Sequence, residues 1–179
     1  MQTTEIQTSK IKILLIFLGC IGFVVLCYYL FKYPEDFTSY RYRNPKVAKV
    51  VGAIGMFFFS IILIYIPIKL FDKKPGLIID EKGIFDNLSA VTVGFIEWSD
   101  VKSLKTISIN STKLLLIYVY NPEKYMDGFN KVKRVMLKTN NRIYGTPISI
   151  NATGLKINFK NLEELITEKF QQYKDSNLK

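Results

Sequence analysis

The sequence contains no histidine, and its two cysteines, Cys20 and Cys27, both lie in one apolar run near the start of the chain. Histidine is the most common general base, pH switch and zinc ligand, so its absence removes the usual residue for all three roles. Because no cysteine follows residue 27, the remainder of the chain cannot hold a disulfide framework. The sequence therefore excludes a disulfide-stapled module and a histidine-based zinc or acid–base centre.

Sequence motifs of enzymes are also scarce. No Gly-x-Ser-x-Gly nucleophile motif, phosphate-binding glycine loop or metal-ligand spacing occurs. The acidic residues are scattered, mostly at expected strand ends or helix caps. We therefore predict no catalytic residue, no metal site and no cofactor. Two carboxylates brought together only by the fold would be the remaining route to an enzyme.

The charge balance is basic. The chain has 25 Lys and Arg against 15 Asp and Glu, a formal net charge of +10, and residues 73–179 hold 17 basic and 11 acidic side chains. Beside a membrane, each well-placed cation adds roughly 1 kcal/mol of attraction to anionic headgroups. The alternative is an ordinary solvated surface. Since no nucleic-acid recognition motif occurs, we expect no nucleic-acid partner.

Two long apolar runs occupy much of the first part of the chain. Residues 13–31 carry no charge, and as a helix they would extend about 28 Å, close to the hydrocarbon thickness of a bilayer. Residues 50–70 carry one charge, Lys69, whose long side chain can reach the interface. We therefore predict transmembrane helices over residues 13–31 and 50–71.

The surroundings of these runs favour an integral hairpin over a cleaved leader. The first run is longer than the apolar region of a signal peptide, and no small-x-small cleavage site follows it. In the second run, Gly52, Gly55 and Ser60 would allow the helices to approach each other closely. This organisation predicts a polar N-terminal tail over residues 1–12 and a hairpin loop over residues 32–49.

Two crossings would put both chain ends on the same side of the membrane. The basic residues that set orientation are nearly balanced. The loop holds Lys32, Arg41, Arg43, Lys46 and Lys49, and the opposite side holds Lys10, Lys12, Lys69, Lys73 and Lys74. We predict a multi-pass protein of the bacterial inner (plasma) membrane with both termini in the cytoplasm, because a short polar N-terminal tail without a cleavable signal commonly stays there.

Residues 72–179 have the pattern of a small α+β domain. The most hydrophobic run outside the membrane segments, residues 114–120, predicts a central strand. Further strands are expected around residues 77–80 and 84–85, on either side of a turn at 81–83, and around 90–98, 101–109, 147–150 and 155–159. A C-terminal helix should follow, with Asn161 as its N-cap and with Leu162, Leu165, Ile166, Phe170 and Tyr173 on one face.

A basic amphipathic helix is predicted over residues 131–143. Its cations recur at steps of three or four on one face: Lys131, Arg134, Lys138 and Arg142. Its apolar residues lie opposite: Val132, Val135, Met136 and Ile143. The functional interpretation is a docking face for anionic lipid or a protein partner. The alternative is that any surface helix of a basic protein has this pattern.

Three segments carry a resemblance to a known fold. Residues 73–84 read KKPGLIIDEKGI, residues 96–101 read IEWSDV, and residues 144–147 read YGTP. The first two are similar to the opening and the tryptophan strand of bacterial pleckstrin-homology-like domains. Together with the two helices and the third segment, they make nearly the whole chain resemble a family of uncharacterised small bacterial membrane proteins. The resemblance implies a transmembrane hairpin followed by a partly closed β-sheet with a C-terminal helix.

In eukaryotic relatives of that fold, basic loops bind phosphoinositides, whereas here Lys82 stands alone between the strands at residues 77–85. The leading hypothesis is an integral membrane protein that presents a small basic binding domain at the cytoplasmic face. A second is an accessory or immunity-type protein whose helices contact another membrane protein. A membrane-bound enzyme is the third.

Overall fold

The computed structural model describes residues 2–37, 44–88 and 91–177, so Arg41 and Arg43 of the predicted loop and the first residue of the expected strand at 90–98 lie outside it. The chain divides into two compact units. One is Lys10–Lys73, and the other combines Met1–Ser9 with Lys74–Lys179.

The first unit is a pair of long helices, α1 (Lys10–Lys32) and α2 (Pro45–Phe71). Both helices extend beyond the apolar runs into the polar residues that flank them. At the start of α2, the Asn44 carbonyl oxygen Oδ1 accepts a hydrogen bond from the Lys46 backbone N–H at 3.0 Å, and Pro45 occupies the first turn. A short 3₁₀ helix, Pro34–Phe37, follows α1.

Small residues let α1 and α2 pack closely. A methyl group added to Gly52 would lie 2.7 Å from the Cys27 carbonyl oxygen, and one added to Gly55 would overlap the Cys27 sulfur. The Phe23 and Phe59 rings stack at 4.9 Å between the two helices. Gly52 and Gly55 therefore lie at the helix contact that the sequence suggested for them, whereas Ser60 is exposed.

The second unit is a mixed α+β domain with two antiparallel sheets. The first sheet has the order β1 (Thr4–Ile6), β2 (Leu77–Ile79), β3 (Gly83–Asp86), β4 (Phe95–Glu97). The second has the order β5 (Val101–Ile109), β6 (Thr112–Val119), β7 (Ile148–Ile150). Helix α3 (Lys131–Tyr144) lies between β6 and β7 in the chain, and α4 (Phe159–Asn177) follows β7. The α+β class and the central position of β6 are as expected.

The N-terminal segment, expected to be a polar tail, instead supplies an edge strand. Thr4–Ile6 pairs antiparallel with Leu77–Ile79, and Ile6 is buried in the core. The Lys169 ammonium of α4 donates a hydrogen bond to the Gln2 carbonyl oxygen at 2.8 Å. The helix pair is therefore inserted in the chain between the first and second strands of the domain.

Helix α4 covers the core through its apolar face. Leu162, Ile166 and Phe170 are buried among the strand residues. Trp98, which is 1% exposed, stacks on Phe170 with ring centroids 5.7 Å apart, and its indole N–H donates to the Asp80 carbonyl oxygen at 2.9 Å. Trp98 is thus a core residue that joins the β2–β3 turn to α4.

Three local expectations need correction. Residues 155–159 do not form a strand, because only Leu155 makes a bridge, to Thr8, and α4 already begins at Phe159. Asn161 therefore lies inside the helix. The cap is Asn158, whose Oδ1 accepts from the Asn161 backbone N–H at 2.8 Å. Of the described part of the expected strand at 90–98, only Phe95–Glu97 is extended, and Trp98–Asp100 is a 3₁₀ turn.

A side chain is disfavoured at Gly83 and at Gly145 for different structural reasons. Gly83 lies against the β4 backbone, where a methyl group would overlap the Ile96 carbonyl oxygen, so close approach and not turn geometry excludes a side chain. Gly145 ends α3 with φ = 75°, the left-handed conformation that favours glycine.

Candidate functional site

Helix α3 is the element that carries the four predicted contact residues. It starts at an Asn130 cap, whose Oδ1 accepts from the Lys133 backbone N–H at 2.9 Å, and ends at Gly145. The Tyr118 hydroxyl of β6 donates to the Tyr144 carbonyl oxygen at 2.9 Å and holds the end of the helix. Leu137 is its one buried residue. Both ends of α3 are fixed, while most of its surface faces outward.

The basic face is exposed along its length. Lys131, Arg134, Lys138 and Arg142 all lie on the surface. The Arg134 guanidinium pairs with the Asp127 carboxylate at 2.8 Å. Within the described ranges, the other three cations make no ion pair with the protein. An exposed cation without a partner keeps its full attraction for external anions, subject to salt screening.

The apolar residues of α3 are exposed as well, although amphipathic patterning ordinarily turns such residues to the core. The exposed fractions of Val132, Val135, Met136 and Ile143 are 72%, 64%, 46% and 63%. At about 100° per residue, their stripe is centred about 110° from the basic face, and the buried Leu137 lies on a third side. The apolar stripe therefore adjoins the basic face, whereas the sequence pattern predicted it on the opposite side, and neither of them packs on the core.

Lys133 does not belong to the basic face. Its ammonium lies 3.7 Å from the centre of the Phe129 ring in a cation–π contact. Burial lowers the pKa of Lys133, and the Asp86 carboxylate opposes part of that effect. This lysine packs at the start of α3. Because it is half-buried, it is less accessible to an external anion than Lys131, Lys138 and Arg142.

A second charged cluster joins the corner between β4 and β5 to the segment after β6. The Lys124 ammonium donates to Asp100 at 2.7 Å and to Glu97 at 3.1 Å, and the Tyr125 hydroxyl donates to Asp100 at 2.7 Å. Burial would raise the pKa of the Asp100 carboxyl, but the hydrogen bonds from Lys124 and Tyr125 outweigh it and hold the pKa below its ordinary value. Burial, reinforced by the hydrogen bond to Asp100, raises the pKa of Tyr125.

This cluster is a structural clip. Both carboxylates accept from Lys124, and the largely buried Tyr125 links them to the core. A Ser-x-x-Lys spacing, Ser99 to Lys102, overlaps it. Ser99 lies in the 3₁₀ turn and Lys102 on β5, so they do not share the helix face that this motif uses to activate a serine.

The larger cavities beside charged residues are open grooves, of about 370 Å³ at Glu81 and about 250 Å³ at Lys113, and each lining contains one charged side chain. A polar cavity of about 50 Å³ is lined by side chains that include Asp86, Asn140 and Ser149, which is room for a water molecule or two. In the described part of the chain, no three Asp, Glu or Cys side chains come together in a way that could hold a metal ion. The exposed surface of α3 is therefore the strongest candidate site.

Two helices of the structure, α1 and α2, are long and apolar enough to cross a membrane, judged by length and composition. A buried helix of a soluble protein or a signal sequence can meet the same criteria. Only 11% of the most apolar window of each helix is buried, which is too little for core helices. The chain matches no protein-family model, no curated protein and no solved structure at a significant level.

Proposed function

We propose that the chain is an integral protein of the bacterial inner membrane, in which a transmembrane hairpin anchors a pleckstrin-homology-like binding domain at the cytoplasmic face. The contact surface is the basic face of α3, and its partner is the anionic headgroup layer of the membrane. No catalysis is part of this function. The exposed cations of α3 are the single observation that carries the binding role.

The pairing of β1 with β2 supports the hairpin anchor. Because Thr4–Ile6 and Leu77–Ile79 lie in one sheet, the chain before α1 and the chain after α2 must be on the same side of any membrane. Cleavage after α1, as for a signal peptide, would remove β1 and leave the place of Ile6 in the core unfilled. The exposed apolar side chains of both helices, such as Leu15 on α1 and Phe57 on α2, favour lipid as their surroundings.

The antiparallel strands and the C-terminal helix support the pleckstrin-homology-like assignment. The resemblance implies one partly closed β-sheet, whereas the strands here form two sheets, of four and three strands, ahead of the C-terminal helix. The helix pair occupies the connection between the first two strands, so the chain has no ordinary loop there to carry a basic phosphoinositide site. Lys131, Lys138 and Arg142 instead place three exposed cations on one face of α3.

Short connections would keep the domain near a bilayer. Residues 7–9 separate β1 from α1, and residues 72–76 separate α2 from β2. Such segments extend by at most about 3.5 Å per residue. Each cation that reaches the headgroup layer adds roughly 1 kcal/mol of attraction, so the three cations without an ion pair would contribute a few kcal/mol at low salt.

Amide hydrogen exchange tests this function in the full chain. The protein is reconstituted in nanodiscs of zwitterionic lipid, with or without an anionic lipid. We expect exchange of α3 to slow when anionic lipid is present and to recover in high salt, because headgroup contact is electrostatic. Changing Lys131, Lys138 and Arg142 to Glu should abolish the dependence on anionic lipid.

The matched control reverses three exposed lysines elsewhere in the domain, Lys102, Lys105 and Lys113. It changes net charge by the same amount and should leave the response of α3 intact. If α3 exchanges at the same rate in both lipids, or if the control loses the response as fully as the α3 variant does, the proposed role of the basic face is wrong.

A further inference from the structure

The apolar stripe of α3, formed by Val132, Val135, Met136 and Ile143, is not explained by the fold. A helix of 14 residues ordinarily buries its apolar face, yet here a single leucine is buried and all four residues of the apolar stripe are exposed. The stripe runs from the first turn to the last. A contiguous exposed apolar surface of this kind indicates an interaction site.

The charges beside the apolar stripe identify the kind of partner. Lys131, Lys138 and Arg142 line one side of it, and their long aliphatic stems can lie along an apolar surface while the charged ends stay in a polar layer. An apolar stripe bordered by cations, on a helix with capped ends, is the pattern of helices that lie in the boundary between headgroups and acyl chains. An anionic bilayer complements both surfaces at once.

We propose that α3 is an interfacial helix, which inserts its apolar stripe into the acyl boundary of an anionic membrane while its basic face contacts the headgroups. This inference rests on the proposed function, since the basic face brings the helix to the lipid. It adds a different kind of contact. Electrostatic attraction alone leaves the apolar stripe in water, whereas insertion removes it from water. Because the basic face brings the helix to the lipid, high salt weakens both contacts.

The structure also makes insertion compatible with an intact domain. The four residues of the apolar stripe are exposed, so burying them in lipid requires no rearrangement of the core. The buried Leu137 and the hydrogen bond from Tyr118 to the end of the helix hold α3 on the domain from another side. The helix can therefore lie in the interface without leaving the protein.

Tryptophan fluorescence tests insertion directly in the full chain. The chain has one tryptophan, Trp98, which is buried and gives a constant background. A Met136→Trp variant in anionic nanodiscs should show a blue-shifted emission, quenched by lipids brominated high on the acyl chain. A matched Tyr120→Trp variant, at a position 71% exposed outside α3, should remain unquenched.

A second variant separates the apolar contact from the electrostatic one. In the Met136→Trp background, Val132, Val135 and Ile143 are changed to Ser, which leaves every charge in place. The ratio of inserted to free α3 should fall roughly tenfold or more, given about 0.8 kcal/mol per buried methylene. Because these side chains are exposed, the domain should stay folded. The triple serine variant that keeps Met136 checks this, because its emission comes from Trp98 alone and should equal that of the unchanged protein.

The possible results distinguish the two proposals. Quenching that the serine changes remove supports insertion. Absence of quenching, together with a retained response of α3 exchange to anionic lipid, overturns insertion and leaves the proposed function standing. Loss of that response as well overturns both. Quenching of equal strength in purely zwitterionic nanodiscs would also overturn the proposal of an anionic partner.

Discussion

Helices α3 and α4 have similar amphipathic patterns in the sequence and opposite surroundings in the structure. Helix α4 turns Leu162, Ile166 and Phe170 into the core, where Phe170 stacks on Trp98. Helix α3 buries Leu137 alone and leaves four apolar residues exposed. An apolar stripe therefore indicates that one side of a helix is suited to burial. It does not show whether the surface that buries this side belongs to the same chain.

The comparison is tested most strongly at Phe170. Phe170→Ala should lower the free energy of unfolding of the domain by about 3–5 kcal/mol, because it removes a buried ring and leaves a cavity beside Trp98. Chemical unfolding of the full chain in detergent, followed by Trp98 fluorescence, measures the change. Met136→Ala on α3 is the control and should change stability by about 0.5 kcal/mol or less.

A smaller global effect is expected at Leu137. Leu137→Ala removes the one fully buried side chain of α3 and should weaken its attachment by about 2–4 kcal/mol. The helix would then open locally before the domain unfolds, so amides of α3 should exchange faster while those of α4 do not. Equal acceleration in both helices would mean that α3 and α4 belong to one cooperative unit. Val135→Ala, at an exposed position of the same helix, provides the control.

Helix α4 also holds the N-terminal segment, through Lys169. Lys169→Met keeps the length of the side chain but removes the hydrogen bond from its ammonium to the Gln2 carbonyl oxygen. We expect a loss of about 1–2 kcal/mol and faster amide exchange in β1. If β1 were only loosely associated with the sheet, its exchange would already be fast in the unchanged protein.

The smallest effect concerns acid pH and the clip next to Trp98. Because the pKa of Asp100 is held below its ordinary value, its ionised form stabilises the fold above the ordinary carboxyl range. This stabilisation should disappear as the pH falls through the lowered pKa. Melting temperatures recorded at pH values from neutral into the acid range should fall less steeply for Asp100→Asn than for the unchanged chain. Asp127→Asn, whose carboxylate pairs with Arg134 on the surface, serves as a control.

Local signals in the sequence were sufficient for the long helices and for β6. The charge-free run after Lys12 has the length of a long apolar helix, and the run at residues 114–120 has the length of a buried strand. Helix α3 was predicted over residues 131–143 and occupies Lys131–Tyr144, since Asn130 and Gly145 mark its ends. The four predicted contact residues lie on its surface, and whether they bind lipid stays a prediction.

The remaining features depend on contacts between distant parts of the chain. Thr4–Ile6 is short and polar, and it becomes a strand only because Leu77–Ile79 lies beside it. The exposure of Val132 and its neighbours could not be predicted, since periodicity gives the direction of an apolar face but not what covers it. The cap of α4 was misplaced because Asn158 and Asn161 are both suitable capping residues, and the sequence alone does not show that Leu155 pairs with Thr8 shortly before the helix.

The position of β1 has a consequence for how the protein is made. Residues 4–6 leave the ribosome before α1 and α2, but their partner strand, β2, is synthesised only after both helices. If the helices cross the bilayer as proposed, a chain in which only one of them inserts would leave β1 on the wrong side, and the sheet would lack its edge. The domain would then expose its core to proteases. Under the proposed topology, closing the sheet would act as a check on correct membrane insertion, and only a chain with both crossings in place would reach a protease-resistant state.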